Sequence, residues 1–211
     1  MTSAAPRGRP SKPTRATAKQ QRLPPPVELE RICKGLAALD AMMSEDWEDR
    51  YYSFDQAWNA KSKQRMASMR NGQGDEWFIV FGPHGVFVKA FWHEYPHQNV
   101  AKIYQGLPTP LRPQLKEPAF SMRHVTFGGW HDGTSWTLRG NAVPMADDLA
   151  ILSGDPKKYV AYAADYFEAT LPVAAVAHVL SGKRLDAKLV KRISTERTLA
   201  ELKADLAVIA Y

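Results

Sequence analysis

Apolar residues recur at three- and four-residue steps from Val27 through Leu29, Ile32, Cys33, Leu36 and Leu39 to Met43. That period predicts a helix over 27–43. Ser44-Glu45-Asp46-Trp47 reads as a cap followed by acidic first-turn residues. Trp47, Tyr51, Tyr52, Phe54 and Trp58 make an aromatic cluster, and 55–69 reads as a second helix with Trp58, Met66 and Met69 on its core side. Asn71-Gly72-Gln73-Gly74 ends it. The pattern then changes. Trp77 to Phe81 is a continuous apolar run, as in a strand covered on both faces. Gly82-Pro83-His84-Gly85 is a turn, and Val86 to Trp92 is the return strand, interrupted by Lys89. After a proline-rich loop over 106–118, Ser121–Trp130 and Ser135–Arg139 flank His131-Asp132-Gly133-Thr134, a second hairpin.

Helical patterning returns near 146. Asp155-Pro156 gives a cap and a proline at the first helical position, ahead of a stripe of Tyr159, Tyr162, Ala163, Tyr166 and Phe167. Thr170–Leu180 is a further helix closed by Gly182. Leu185, Leu189 and Ile193 suit another. Thr198-Leu199-Ala200-Glu201 is a capping box for the last, whose stripe is Leu199, Leu202, Leu206 and Ile209. No repeat of fixed period is present. The order predicts an α+β fold: N-terminal helices, a central antiparallel sheet of four strands in two hairpins, and a C-terminal helical bundle.

Length and charge refine this picture. The chain has 211 residues, enough for one domain with a sizeable core. No apolar run approaches the ~20 residues needed to cross a bilayer, and the first 30 residues hold no apolar signal core. Cys33 is the one cysteine, so no internal disulfide can form, and it reads as a buried inert thiol. These features point to a cytoplasmic protein with no membrane contact. Of the 28 lysines and arginines, six lie in residues 1–26 with no acid among them; the 22 that remain match the 22 acids. The net charge of +6 therefore sits in the arm, while residues 27–211 form an electrically balanced domain. The arm is proline-rich and almost free of large apolar residues before Leu23, so disorder is expected, ending in a stiff Pro24-Pro25-Pro26 stem.

Within the arm, Pro6-Arg7-Gly8-Arg9-Pro10 resembles the core of an AT-hook. The resemblance implies that Arg7 and Arg9 reach along the minor groove of A·T-rich DNA, where Gly8 permits close approach. In the body, Arg50-Tyr51-Tyr52-Ser53-Phe54, Gly74-Asp75-Glu76-Trp77-Phe78, Glu117-Pro118-Ala119-Phe120 and Asp165-Tyr166-Phe167-Glu168 recur as a set of short motifs over 45–211. That set resembles an uncharacterised bacterial protein family. The resemblance implies a bacterial domain and brings no activity, cofactor or catalytic residue with it.

Candidate chemistry is sparse. His84, His93, His97, His124 and His131 all fall in the β region. His93 and His97 have the spacing of a helical zinc pair, but Pro96 between them opposes a helix. The histidines read as ordinary polar residues and no metal is expected; a metal or acid/base site built from His93, His97, His124 and His131 is the alternative. Glu45, Asp46, Glu48, Asp49 and Asp55 read as a solvated, acidic helix start, with a basic partner or a metal as the alternative. Glu117 belongs to a loop anchored by Phe120. Trp77, Trp92, Trp130 and Trp136 lie in or beside strands and read as core or edge-of-core. Gly128–Gly133 places Trp130, His131 and Asp132 on a hairpin, and these three with Trp92 and His93 are the interface candidates. GxxxxGK[ST], GxGxxG, HExxH and GxSxG are all missing, which argues against the familiar enzyme classes and their cofactors. The leading expectation is a protein-binding domain, immunity- or antitoxin-like, with another protein as partner. The alternatives are a DNA-associated protein using Arg7, Gly8 and Arg9, and a metal-dependent enzyme using the β-region histidines.

Overall fold

The computed structural model describes residues 23–141 and 149–211. Helix α1 spans Pro26–Met43. Six strands follow: β1 Tyr52–Asn59, β2 Gln64–Arg70, β3 Glu76–Gly82, β4 Gly85–Phe91, β5 Phe127–His131 and β6 Trp136–Gly140. They pair as one antiparallel sheet in the order β1-β2-β3-β4-β5-β6. The short helix α2, Val100–Ile103, and the 3-10 segments Thr109–Lys116 and Pro118–Phe120 lie between β4 and β5. Helices α3 Pro156–Tyr166, α4 Val173–Leu180, α5 Ala187–Ile193 and α6 Lys203–Ile209 complete the chain. The α+β class is as predicted. No helix of the described residues is long and apolar enough to cross a membrane.

The predicted helix over 55–69 is instead the β1–β2 hairpin. On β2 the apolar residues sort by the two-residue period of a strand, and on β1 an irregularity between Asp55 and Asn59 turns Trp58 to the face opposite Phe54. Phe54, Ala67 and Met69 join the core beneath α1, whereas Met66 joins the core on the opposite face and Trp58 packs against it. Met66 and Met69, read as one helical face, thus lie on opposite sides of the sheet. Asn59, whose side chain accepts from the Ser62 backbone N–H, and Lys63 at φ 52° make the tip. The first strand of the second predicted hairpin is shorter than expected: 121–126 is turn and irregular chain, and β5 begins at Phe127.

Both faces of the sheet are covered. On one, Phe54, Ala67, Met69, Trp77, Ile79, Val88 and Phe127 pack under α1. On the other, Met66, Phe78, Val80, Phe87 and Trp130 meet Ile103, Tyr104, Leu107, Leu111, Phe120 and Val125 from the β4–β5 connection. Phe120 is fully buried against Phe78, Phe87 and Trp58, the anchor predicted for that loop. Tyr104 donates to the Val88 carbonyl at 2.8 Å across Gly128, where an added Cβ would lie 2.3 Å from the phenol oxygen.

The C-terminal helices do not form a separate bundle. They pack on α1, and α6 also reaches β1. Most of α1 is therefore buried, with Gly35, Ala37, Ala38 and Ala41 keeping its girth small. A Cβ at Gly35 would lie 3.0 Å from the Leu180 Cα on α4. The body is engaged from Leu23, inside the segment assigned to the arm: Leu23 is buried and the Pro24 carbonyl accepts from Trp136 Nε1 at 3.0 Å. Cys33 is buried, and that burial, with Glu30 nearby, pushes its thiol well above the ordinary range.

Asp40 on α1 is the buried acid of this core. Its carboxyl accepts from Tyr159 Oη at 2.7 Å, Tyr162 Oη at 3.3 Å and the Tyr52 backbone N–H at 2.8 Å. Burial pushes its pKa up to about 7, against the opposing pull of those donors. In the unfolded chain the same carboxyl loses its proton near ~4. Between those values the folded state holds a proton that the unfolded state has lost, so this group's contribution to stability falls as pH rises from about 4 to 7 and is level above. Asp40→Asn removes that slope; the gap between wild type and variant in urea melts changes by up to about 4 kcal/mol across the window. Parallel pH profiles would contradict this assignment.

Candidate functional site

The interface candidates are not brought together. Trp92 and Trp130 are buried, and they belong to the cores on opposite faces of the sheet. Trp130 is thus packed inward from β5 rather than presented to a partner. His131 is buried against Trp136, and its Nδ1 accepts the Gly133 backbone N–H at 3.0 Å. Asp132 is exposed, but one carboxylate oxygen is used by the Thr134 and Ser135 N–H groups to close the turn. His93 is exposed, and its backbone N–H and ring Nδ1 both meet Asp75. Since Val86 pairs with His131 and Ala90 with Phe127, His93 and Asp132 lie at opposite ends of the sheet.

The histidines divide in the same way. His97 and His124 are neighbours, with ring centroids 5.0 Å apart and Phe91 packed on both. His93 pairs with Asp75, and His131 lies at the far end. Among the described residues no group of three or more His, Cys, Asp or Glu is arranged to hold a metal ion. Arg7, Gly8 and Arg9 lie outside the described residues.

Beside His124 is a pair that sequence reading missed. Lys89 on β4 is fully buried, 2.5 Å from Glu76 on β3 and over the rings of Phe78 and Phe91. Burial pulls its ammonium below the ordinary value, with Glu76 opposing. The available signal was a lone lysine inside an apolar strand. An enclosed ammonium has no surface to offer a substrate, so this is a structural ion pair that occupies the polar end of the second core.

The surface that remains is built on residues 44–50. The turn Trp47–Asp49 is capped by Asp46, whose side chain accepts the Glu48 N–H at 3.0 Å. Arg50 fixes the turn from below, donating to the Ser44 and Glu45 carbonyls and to Asp205 of α6 at 2.7 Å. Arg197 takes the other Asp205 oxygen at 2.9 Å and also binds the Ala41 carbonyl. Partial burial would raise the Asp205 pKa; the two arginines outweigh it and hold the carboxyl below its usual range. On this braced turn Trp47 is 58% exposed. It borders a cleft of about 160 Å³ lined by Ala37, Tyr52, Phe54, Val208 and Ile209. Glu45, Asp46, Glu48 and Asp49 around it are all exposed. Next along the chain, Tyr51 packs against Tyr166 of α3, with centroids 4.2 Å apart and ring planes tilted by 45°. Partial burial and then neighbouring Asp49 push the Tyr166 phenol above its ordinary value, and burial, Tyr166 and Asp165 do so for Tyr51.

The chain has no significant match among known protein families, curated proteins or solved structures. Function is therefore read from the geometry.

The ion pair makes its own prediction. Glu76→Gln leaves the Lys89 ammonium without its counter-charge in the core and lowers stability by about 3 kcal/mol. Joining it to Lys89→Met recovers most of the loss, as read from urea midpoints; additive losses would show that the two side chains act independently.

Proposed function

We propose that this chain is a protein-binding domain that docks a basic partner through the Trp47 face. The observation that carries this reading is Trp47 itself: a large aromatic held out to solvent on a turn braced by the Arg50–Asp205–Arg197 network. A tryptophan ring supplies much of the energy of an interface when a partner encloses it, and a preordered turn spares the ordering cost on binding. The partner's chemistry follows from the rim. Four carboxylates within five residues steer a cationic surface toward the ring and disfavour an acidic one. A domain that covers a cationic patch on a toxin, as an immunity protein or antitoxin does, has a partner of this kind. A cytoplasmic setting accords with the single buried thiol.

Affinity capture with the tagged full chain from bacterial lysate, followed by competition, tests the proposal. Wild type retains a basic protein in stoichiometric amount at low salt and releases it at high salt. Trp47→Ala, which alters stability by no more than about 0.5 kcal/mol at this exposed position, weakens retention by more than about tenfold. Asp46→Lys with Asp49→Lys abolishes it. Equal retention by the wild type and the Trp47→Ala chain would overturn the assignment.

A further inference from the structure

At the other end of the sheet from Trp47, the tips of the β1–β2 and β3–β4 hairpins and the 3-10 segment Thr109–Lys116 enclose a cleft of about 350 Å³. It is lined by Asn59, Ser62, Gln64, His84, Gln114 and Glu117, with Pro110 and Pro113 as rigid apolar walls. We infer that this cleft is a binding site for a small, neutral, polyhydroxylated molecule of the sugar class.

Gln114 is the residue that points to a ligand. It is 5% exposed, yet its side-chain amide has no hydrogen-bond partner among the described residues, and it lines the cleft. Its polar atoms are not sealed in the core, so they meet the cleft it lines. The backbone around it is ordered, with the Gln114 carbonyl accepting the Glu117 N–H, so the residue keeps a fixed place in the cleft wall with its amide free to bond there. A narrower recess continues from there toward Val80 and Leu111.

The lining selects the ligand class. Gln64 and Gln114 each offer a donor and an acceptor. Asn59 uses its Oδ1 on the Ser62 N–H and keeps its amino donors. Glu117 uses Oε1 on the Ala119 N–H and keeps Oε2 as an acceptor. Hydroxyl groups both donate and accept, so a run of adjacent hydroxyls matches this mixed set. Among the described residues no lysine or arginine lines the cleft, which disfavours phosphates and carboxylates. A single carboxylate with no second acid or cysteine beside it does not make a cation site. Proline rings present C–H surface to the apolar face of a pyranose. The volume is near the lower end of the roughly 300–1,000 Å³ found for small-molecule sites, suited to one or two sugar rings.

The test is NMR titration of the ¹⁵N-labelled full chain with glucose, galactose, N-acetylglucosamine and maltose, with inorganic phosphate and a Gly-Pro-Gly peptide as contrasting probes. At least one sugar is expected to shift the side-chain amide signals of Gln114 and Gln64 saturably in the millimolar range. Gln114→Leu, and independently His84→Ala at the exposed turn, weaken that sugar by about tenfold or more. No shift with any of the four sugars up to tens of millimolar overturns the inference. So does a shift that persists unchanged in both variants, or one produced by phosphate or the peptide in place of the sugars. These readouts do not involve Trp47, so the two sites stand or fall separately.

Discussion

The carboxyl of Asp40 joins three elements that are distant in sequence: α1, which carries it, the start of β1 through the Tyr52 N–H, and α3 through Tyr159 and Tyr162. A carboxyl taken wholly out of water is costly unless its oxygens are hydrogen-bonded, and three donors surround this one. The requirement acts in both directions. The acid holds α3 and β1 at fixed positions along α1, and it tolerates no displacement of either that would leave an oxygen bare. The apolar packing of Leu29, Ile32, Leu36 and Leu39 supplies most of the driving force for burying α1. It does not by itself specify the helix's axial position, because leucines slide past one another at smaller cost than a misplaced carboxyl. Asp40 therefore sets the register of the helical layer on the sheet.

Register has consequences at the surface. With α1 fixed, its C-terminal end places Ser44 and the turn that carries Trp47 over the Arg50–Asp205 pair, and α6 is held by the same acid that braces that turn. Both faces of the sheet are already occupied, one by α1 and the other by the β4–β5 connection. What remains for recognition is the periphery: the turn at one end and the hairpin tips at the other. This explains why large aromatics in mid-strand, such as Trp77 and Trp130, pack internally while Trp47, in a three-residue turn outside the sheet, meets solvent.

Much of this was readable from the chain. Helix α1 follows from an uninterrupted three-four period, and the cap at Asp155 forms as its residue type requires, whereas Thr198 and Glu201 bond to each other across a turn and α6 begins only at Lys203. The β3–β4 hairpin follows from its apolar runs and turn. The β1–β2 hairpin was misread because β2 is covered on both faces, so Met66, Ala67 and Met69 show no alternation, and methionine and alanine suit helices in isolation. Trp92 and Trp130 are buried as their strand positions suggested, but sequence shows only that a strand is apolar and not that a distant loop will cover its second face, so they were also carried as interface candidates. Phe120 signalled that loop as an anchor, and its partners Phe78 and Phe87 lie in strands the pattern had found. Gln114 carried no signal, because its burial depends on a cleft made by three separate segments.

The charge balance of the body also needs a finer reading. Beyond the arm, 22 basic and 22 acidic residues cancel, which argued for a domain without strong electrostatic preference. Cancellation over a whole body says little about any one face, because at physiological salt charges more than ~8 Å apart are largely screened from one another. A partner approaching Trp47 meets Glu45, Asp46, Glu48 and Asp49, while Arg50 and Arg197 are turned inward and consumed by Asp205 and backbone carbonyls. These two arginines are spent on holding the turn in shape. An overall neutral body thus presents a locally anionic surface, and the bracing of Trp47 and the sign of the field around it come from the same arrangement.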